Sequence, residues 1–253
     1  MPTIDLNADL GEGFGRWRVA DETAVLPLVT SASIACGFHA GDPLTMRRSV
    51  ALARAHGVAV GAHPGYPDLV GFGRRDVAAS AEEITAMVLY QVGALAAVCR
   101  AEGVPLRYVK PHGALYNRAA VDRVAADAIA EAVRLADPSL ALLGLAGSEL
   151  VAAAERAGLR AVGEAFADRA YLADGTLAPR GRADAVLGDE AAVVRQALGI
   201  VRDGRVRALD GGDVVVRAES LCVHGDNPQA PALLGALRAR FAAEGIAVAP
   251  FAG

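Results

Sequence analysis

The chain has 253 residues, a formal net charge of −4 and 53% hydrophobic residues. This length suits one large domain or two small ones, and the apolar fraction is ample for a large core. The 25 Lys and Arg residues form no basic run and do not alternate with aromatic residues, which argues against a nucleic-acid-binding surface.

The cysteines indicate the compartment. Cys36, Cys99 and Cys222 are odd in number and have no CxxC spacing, which argues against a disulfide framework and a thiolate metal site. The N-terminus has no signal-peptide pattern, and no apolar run is expected to span a bilayer. We therefore predict a soluble, cytoplasmic protein that binds neither nucleic acid nor membranes.

The first predicted element is a strand at residues 4–8, in which polar and apolar residues alternate. Successive strand side chains point to opposite faces, so Asp5, Asn7 and Asp9 share one face. Because burying an unpaired carboxylate is costly, that face must meet partners, water, a metal or a substrate. A solvated outer strand is the plainer alternative.

Strands and helices then alternate along the chain. Glycines at 57, 103, 158 and 245 are typical of helix ends and are followed directly by apolar, strand-like segments. Helix starts are predicted at Asp42-Pro43, at Asn227-Pro228, and at Ser80 with Glu83, which form a capping box. His56, just before a helix-ending glycine, is expected on the surface.

This alternation predicts right-handed βαβ units and a parallel sheet. We predict one α/β domain, residues 1–253, folded as an irregular (β/α) barrel of seven or eight strands, with an open doubly wound sheet as the runner-up. Residues 166–188 contain no clear element and are predicted to form a functional loop or lid. The predicted strands lie at residues 4–8, 31–37, 58–62, 107–110, 141–145, 161–165, 220–223 and 246–249.

Four of the five histidines lie at or just beyond the carboxyl end of a predicted strand. In a barrel these ends form the mouth where enzymes of this fold carry their sites. A structural role is the plainer interpretation for any single histidine, but together they predict a cleft shared with the acidic residues of the first strand. The predicted cleft residues are Asp5, Asp9, His39, His63, Lys110, His112 and His224.

Two further groups could bind anions. The segments 41–43 and 225–228 lead into predicted helix starts, whose backbone N–H groups attract negative charge. Arg169 and Arg180, in the 166–188 loop, could close over a carboxylate. The sequence has no P-loop, dinucleotide-binding GxGxxG, GxSxG or HExxH motif.

Seven segments resemble the LamB/YcsF family of bacterial 5-oxoprolinase A subunits, and they extend from the first strand to the last helix. They are DLNADLGE at 5–12, SIACGFHAGDP at 33–43, GAHPGYPD at 61–68, GFGRR at 71–75, VKPHGALYN at 109–117, EAFADRAY at 164–171 and VHGDNP at 223–228. The resemblance implies ATP-dependent hydrolytic opening of 5-oxo-L-proline to L-glutamate, in a complex with B and C subunits. It also implies a barrel similar to those of glycoside hydrolases and carbohydrate deacetylases, and Mg²⁺ is expected to accompany ATP. Whether the chain forms a homo-oligomer stays open.

The residues and the resemblance together suggest roles. Asp5 or Asp9, with Asn7 beside them, is expected to act as base toward water, while Lys110, His112 and His224 stabilise developing negative charge. Candidate substrate- or phosphate-binding residues are Glu12, His39, His63, Arg169, Arg180, Gly225, Asp226 and Asn227.

Two alternatives stay open. One is a metal-dependent amidohydrolase or deacetylase acting on a small amide, with Asp9, His39 and His63 as candidate ligands. The other is a non-catalytic barrel that binds the substrate and passes it to partners.

Overall fold

A computed structural model describes residues 2–252 of the chain. Met1 and Gly253, which the predicted single domain includes, lie outside the described residues. The described strands are β1 (Thr3–Leu10), β2 (Ser31–Ala35), β3 (Ala59–His63), β4 (Leu106–Val109), β5 (Ala141–Leu145), β6 (Arg160–Phe166), β7 (Arg205–Arg207), β8 (Asp213–Val215), β9 (Ser220–Cys222) and β10 (Ala247–Val248). The α-helices are α1 (Glu22–Val25), α2 (Pro43–Ala55), α3 (Ala81–Glu102), α4 (Gly113–Val121), α5 (Arg123–Ala136), α6 (Glu149–Arg156), α7 (Glu190–Leu198) and α8 (Ala230–Ala243).

Seven parallel strands, β1 to β6 and β9, close into a barrel. Strand β9 pairs with β6 on one side and with β1 on the other, where Asp5 lies opposite Ser220. The short β10 pairs with the start of β1, at Thr3 and Ile4. The predicted closed α/β barrel is therefore confirmed with seven strands, and the open-sheet alternative is wrong.

The alternation in β1 separates two environments. Asp5, Asn7 and Asp9 are buried among polar groups of the barrel interior. The residues between them pack in the hydrophobic core beneath the helices, and these are Ile4, Leu6, Ala8 and Leu10. The polar face of β1 therefore points into the barrel, as its parity predicts.

Two helix starts follow their capping signals. The Asp42 carboxylate accepts hydrogen bonds from the backbone N–H groups of Leu44 and Thr45 at the start of α2. Ser80 and Glu83 form the capping box of α3. The Asp42 side chain therefore occupies the N–H groups that the sequence offered as an anion site.

The predicted helix start at Asn227-Pro228 is wrong. The Ala230 N–H donates to the Asn227 carbonyl, and the Asn227 side chain accepts from the Gln229 N–H. These bonds close a turn, and α8 begins only at Ala230, followed by Pro231 in its first turn. An Asn-Pro pair suits a turn as well as a helix start, and here the turn forms.

One end of the barrel is closed by aromatic packing. The Tyr108 ring lies in the interior, where its hydroxyl is 3.1 Å from Ser33 Oγ. A side chain at Gly61 would meet this ring, because a Cβ there would overlap the ring atoms of Tyr108. The Phe251 ring packs against Tyr108 at 5.1 Å between centroids. The cleft is therefore confined to the other end, where the strands finish.

Within residues 2–252, α3 is the one helix long and apolar enough to cross a membrane by length and composition. The expectation that no run reaches this length is wrong in that respect. The helix is nevertheless part of the domain core, because Ile84, Val88 and Leu95 are fully buried there.

The antiparallel hairpin of β7 and β8 is absent from the predicted elements. Each strand has only three residues, and exposed residues flank one covered valine, which is the buried Val206 in β7 and the partly buried Val214 in β8. Such short strands leave little periodic signal in a sequence.

Candidate functional site

A cleft of ≈ 440 Å³ opens at the carboxyl ends of the barrel strands. Its walls come from strand ends, from the start of α4 and from the loop that follows β6. The predicted site residues that line it are Asp9, Glu12, His63, Lys110, His112, Arg169, Arg180, His224 and Asp226.

Asn7 and Asp5 lie below this cleft. Asn7 lies one layer of side chains below Asp9, and its side-chain oxygen accepts a hydrogen bond of 2.9 Å from Lys110 Nζ. Asp5 lies deeper and accepts hydrogen bonds from the hydroxyls of Thr30, Ser31 and Ser220. Burial raises the pKa of Asp5. Of the two residues expected as candidate bases, Asp9 lines the cleft and Asp5 lies beneath it.

Lys110 is the centre of a buried polar network. Its Nζ lies 2.6 Å from Asp9 Oδ1 and 2.9 Å from Glu164 Oε1. Burial disfavours the ammonium, but the Asp9 carboxylate raises the pKa of Lys110 well above its ordinary value. Lys110 is therefore a positive charge in the floor of the cleft, held between two carboxylates.

The pKa values of the Asp9 and Glu12 carboxyl groups are shifted in opposite directions. Burial opposes ionisation of Asp9, but His63 and Lys110 hold its pKa well below the ordinary value. For Glu12, burial and the nearby Asp9 raise the pKa well above the ordinary value. The cleft therefore favours an ionised Asp9, and Glu12 needs a positive partner if it is to ionise.

Three histidines and Glu12 form a compact cluster. The His39 ring stacks on that of His112 with centroids 3.7 Å apart. His112 Nδ1 lies 3.0 Å from His63 Nε2 and 3.6 Å from Glu12 Oε1. One ligand atom from each residue lies within 4.8 Å of the others, and all four residues are buried. This donor set could hold a metal ion.

The cluster departs from the ligand trio expected from sequence. Asp9 is outside the cluster: its Oδ1 is engaged by Lys110 at 2.6 Å, and its carboxylate comes within 4.0 Å of only one cluster histidine, with Oδ2 3.5 Å from His63 Nε2. His39 belongs to the cluster but lies behind His112, outside the cleft lining.

His224 lies on the wall formed by the loop after β9. Its Nδ1 is 2.9 Å from Asp168 Oδ1, and its ring stacks on Phe166 with centroids 5.1 Å apart. Burial opposes ionisation of Asp168, but His224 lowers its pKa. The carboxylate accepts a hydrogen bond from the Nδ1–H group, and this fixes the tautomer of His224. Its Nε2 is then free to exchange a proton.

The loop after β9 approaches β1 closely. A Cβ at Gly225 would overlap the Asp9 carbonyl oxygen, so only glycine fits there. Asn227 lines a neighbouring cavity of ≈ 250 Å³. Because α8 begins at Ala230, residues 225–228 do not offer the predicted helix-end anion site. Asp226 instead accepts hydrogen bonds from Arg74 and Arg180.

Two of the three arginines of the 166–188 loop, Arg169 and Arg180, line the cleft. The guanidinium of Arg169 is held by the carbonyls of Ala178 and Ala185. Burial, with Arg180 nearby, lowers the pKa of Arg169 to about 10. Arg180 is less buried and lies 3.4 Å from Asp226. The loop thus adds positive charge to a cleft rich in carboxylates.

The sequence-based site omitted several residues of this network. Glu164 binds Lys110, and its other oxygen accepts a bond of 2.9 Å from Tyr116. Asp168 orients His224, and Arg74 lines the cleft. The parity of β6, which places Glu164 inside the barrel, is a signal that could have identified it.

Known proteins resemble this chain over nearly its whole length. The model of the LamB/YcsF family matches residues 4–253. A protein of Geobacillus kaustophilus described as the A subunit of 5-oxoprolinase is 56% identical over 248 residues, 98% of this chain and 96% of that protein. One of the same description from Thermus thermophilus is 54% identical over 248 residues, 98% of this chain and 99% of that protein. The crystal structure of the lactam utilization protein from Thermus thermophilus aligns with a TM-score of 0.92 at 52% identity, covering 98% of this chain and 100% of that one.

Proposed function

The chain belongs to the LamB/YcsF family, and on this premise we propose that it is the A subunit of a 5-oxoprolinase. The observation that carries the proposal is the match, over nearly the full length, to relatives described by that name. The reaction is the ATP-dependent hydrolysis of 5-oxo-L-proline to L-glutamate, and the enzyme is a cyclic amide hydrolase. The lettered designation of those relatives implies a multi-subunit complex, and we place B and C subunits in it.

The chemistry of the substrate accounts for the use of ATP. A five-membered lactam is a poor electrophile, so phosphorylation of its amide oxygen would activate the ring carbon. Water then adds to that carbon, the C–N bond breaks, and the amine leaves with a proton. The resulting acyl phosphate reacts with a second water to give L-glutamate and phosphate.

The cleft offers groups for these proton transfers. Asp9, held ionised, can take a proton from water at the floor of the cleft. Lys110 beside it can stabilise the negative charge that develops on oxygen. His224, oriented by Asp168, can carry a proton to the leaving amine.

The remaining polar groups suit an anionic substrate. The ring of 5-oxo-L-proline carries one carboxylate, and its activated form carries a phosphate as well. Arg169 and Arg180 line the cleft and can pair with such groups. The volume of ≈ 440 Å³ is in the range of small-molecule sites.

ATP and its Mg²⁺ belong to the complex in this proposal. The chain carries no recognisable nucleotide-binding loop, so a partner protein of the complex supplies at least part of that site. We place the complex in the cytoplasm, because the three cysteines are buried as free thiols, as in a reducing compartment.

The test is an assay of purified chain with 5-oxo-L-proline and ATP, with and without the partner subunits. L-Glutamate should form in step with ADP only in the full mixture. Asp9→Asn should abolish product formation while the subunits still co-elute. Rapid hydrolysis by the isolated chain in the absence of ATP would overturn the proposal.

A metal-dependent amidohydrolase remains the second candidate. It is favoured by one observation, the cluster of Glu12 with three histidines on the cleft wall. ATP dependence separates the two, because a metal-activated hydrolase would act on a small amide without nucleotide.

A further inference from the structure

We propose that Glu12, His39, His63 and His112 bind one divalent transition-metal ion of the zinc class on the wall of the cleft. The site is separate from the Mg²⁺ that accompanies ATP. It depends neither on the partner subunits nor on the identity of the substrate.

Hydrogen bonds fix the tautomers of two of these histidines. His63 Nδ1 lies 2.7 Å from the Lys110 carbonyl oxygen, and His112 Nε2 lies 2.8 Å from the Phe72 carbonyl oxygen. A carbonyl oxygen only accepts, so both of these nitrogens carry a hydrogen. In neutral imidazoles the other nitrogens, His63 Nε2 and His112 Nδ1, therefore present lone pairs, and they face each other at 3.0 Å.

Two facing lone pairs at this distance need a positive centre between or beside them. A proton on one histidine would let this pair form a hydrogen bond, but Glu12 and His39 would still lack partners. Among residues 2–252, no hydrogen-bond partner reaches Glu12 Oε1 or either ring nitrogen of His39. These groups are buried, and such orphaned polar atoms are costly. A single cation would satisfy Glu12 Oε1 and the facing nitrogens of His63 and His112. It would also reach His39 Nε2, 3.5 Å from Glu12 Oε1, once the His39 ring turns out of its parallel stack on His112.

Three of the spacings between ligand atoms are close to those around one ion, and every spacing in the set is within 4.8 Å. Zinc–nitrogen bonds of about 2.0–2.1 Å at tetrahedral angles place two ligand atoms about 3.4 Å apart. The contacts here are 3.0 Å for His63 to His112, 3.6 Å for His112 to Glu12 and 3.5 Å for His39 to Glu12. One of these separations is shorter than the expected value of about 3.4 Å and two are slightly longer. The two longer ones also exceed the usual length of a hydrogen bond.

The surroundings resemble those of metal ligands. Metal-bound histidines usually donate their second N–H to a carbonyl or carboxylate, as His63 and His112 do here. Gly73 allows the close packing behind them, because a Cβ there would lie 2.6 Å from His39 Cβ and 2.8 Å from His112 Cδ2. The histidine rings are thus held in place without a contribution from substrate.

The donor types select the ion. Three imidazoles with one carboxylate suit zinc and its first-row neighbours, whereas Mg²⁺ and Ca²⁺ prefer oxygen ligands. Asp9 is outside the set, because Lys110 engages its Oδ1 and its carboxylate comes within 4.0 Å of His63 alone among the three histidines. Since His63, His112 and Glu12 line the cleft, one side of the ion would face the substrate space.

The experiment is metal uptake by the purified full chain, stripped with a chelator and then incubated with Zn²⁺, Mn²⁺ or Mg²⁺ alone. Elemental analysis after gel filtration should find about one Zn²⁺ per chain and no retained Mg²⁺. Zn²⁺ should also raise the melting temperature of the stripped chain. Absence of Zn²⁺ and Mn²⁺ uptake by a folded chain would overturn the proposal.

Variants test the ligand set. Glu12→Gln and His112→Asn should each weaken Zn²⁺ binding by about 100-fold or more, while circular dichroism of the stripped variants shows a folded chain. His224→Asn, in the same cleft but outside the cluster, should bind Zn²⁺ within about threefold of the parent, and Asp9→Asn should lose no more than about tenfold. Full binding by Glu12→Gln together with loss in Asp9→Asn would overturn the ligand assignment. Because no readout depends on 5-oxo-L-proline, failure here leaves the proposed function standing, and the reverse also holds.

Discussion

Replacement of Lys110 by methionine tests the buried charge network most directly. Methionine keeps much of the side-chain volume, but it removes the only ammonium that contacts both Asp9 and Glu164 in the described part of the chain. Breaking a buried ion pair from one side costs about 3–5 kcal/mol, because the remaining charge is left without a partner. For a chain of this size, that loss lowers the melting temperature by roughly 6–20 °C.

A second substitution tests whether the stability lost in Lys110→Met comes from the unpaired carboxylates. Glu164→Gln removes one of the stranded charges, and its amide oxygen can still accept from Tyr116. The double variant Lys110→Met with Glu164→Gln should therefore be more stable than Lys110→Met alone. The coupling free energy between the two sites should fall in the range of about 0.5–3 kcal/mol.

Urea denaturation followed by circular dichroism measures these differences. Arg47→Met is the matched control, since it breaks a surface pair with Glu102 and should leave stability unchanged within error. Lys110→Met with parental stability, or a double variant whose loss is the plain sum of the single losses, would refute the network. In the assembled complex Lys110→Met should also lower kcat by about 100- to 1,000-fold.

Three further predictions concern the cleft and its surroundings, and the second has a control substitution in α8. Asp168→Asn removes the carboxylate charge and adds an NH2 group that can donate to His224 Nδ1 and so favour the other tautomer. It should lower kcat by about 100-fold with little change in KM, as measured in the assembled complex, and an unchanged kcat would leave Asp168 a structural role only. Gly225→Ala places a methyl group against the end of β1 and should destabilise the chain by about 1–3 kcal/mol, whereas Gly235→Ala in α8 has open space and should stabilise it by up to about 1 kcal/mol in the same urea titration. Arg180→Met should raise the KM for 5-oxo-L-proline about tenfold or more with a smaller effect on kcat, and a KM within twofold would remove Arg180 from the binding site.

Much of this architecture follows from local rules. The alternation in β1 predicts which side chains enter the barrel, and the residues at the strand ends predict where the cleft lies. Capping by Asp42 and Ser80 is also local, so it can be identified from a few neighbouring residues. These features need no knowledge of distant contacts.

Other features depend on residues far apart in the sequence. Asp168 becomes important only because its carboxylate meets His224, 56 positions later. The Asn227 turn and the delayed start of α8 depend on how the chain leaves the barrel mouth. Which of Asp5 and Asp9 lines the cleft likewise depends on depth in the barrel. Strand parity does not report depth, because both residues share one face.

The closure of the barrel has a consequence for how the chain folds. β1 precedes the other barrel strands, yet it pairs with β9, and its Asp5 contacts Ser220 at a separation of 215 positions. Pairings of such long range form slowly because the loop between them must first be closed, so we expect the seam between β1 and β9 to be sealed late. Until then the edge of β1 is open to other chains. Asp5 and Asp9 place negative charge on that edge, and inward-pointing charges of this kind discourage edge-to-edge association. These two carboxylates would therefore also protect the partly folded barrel from aggregation.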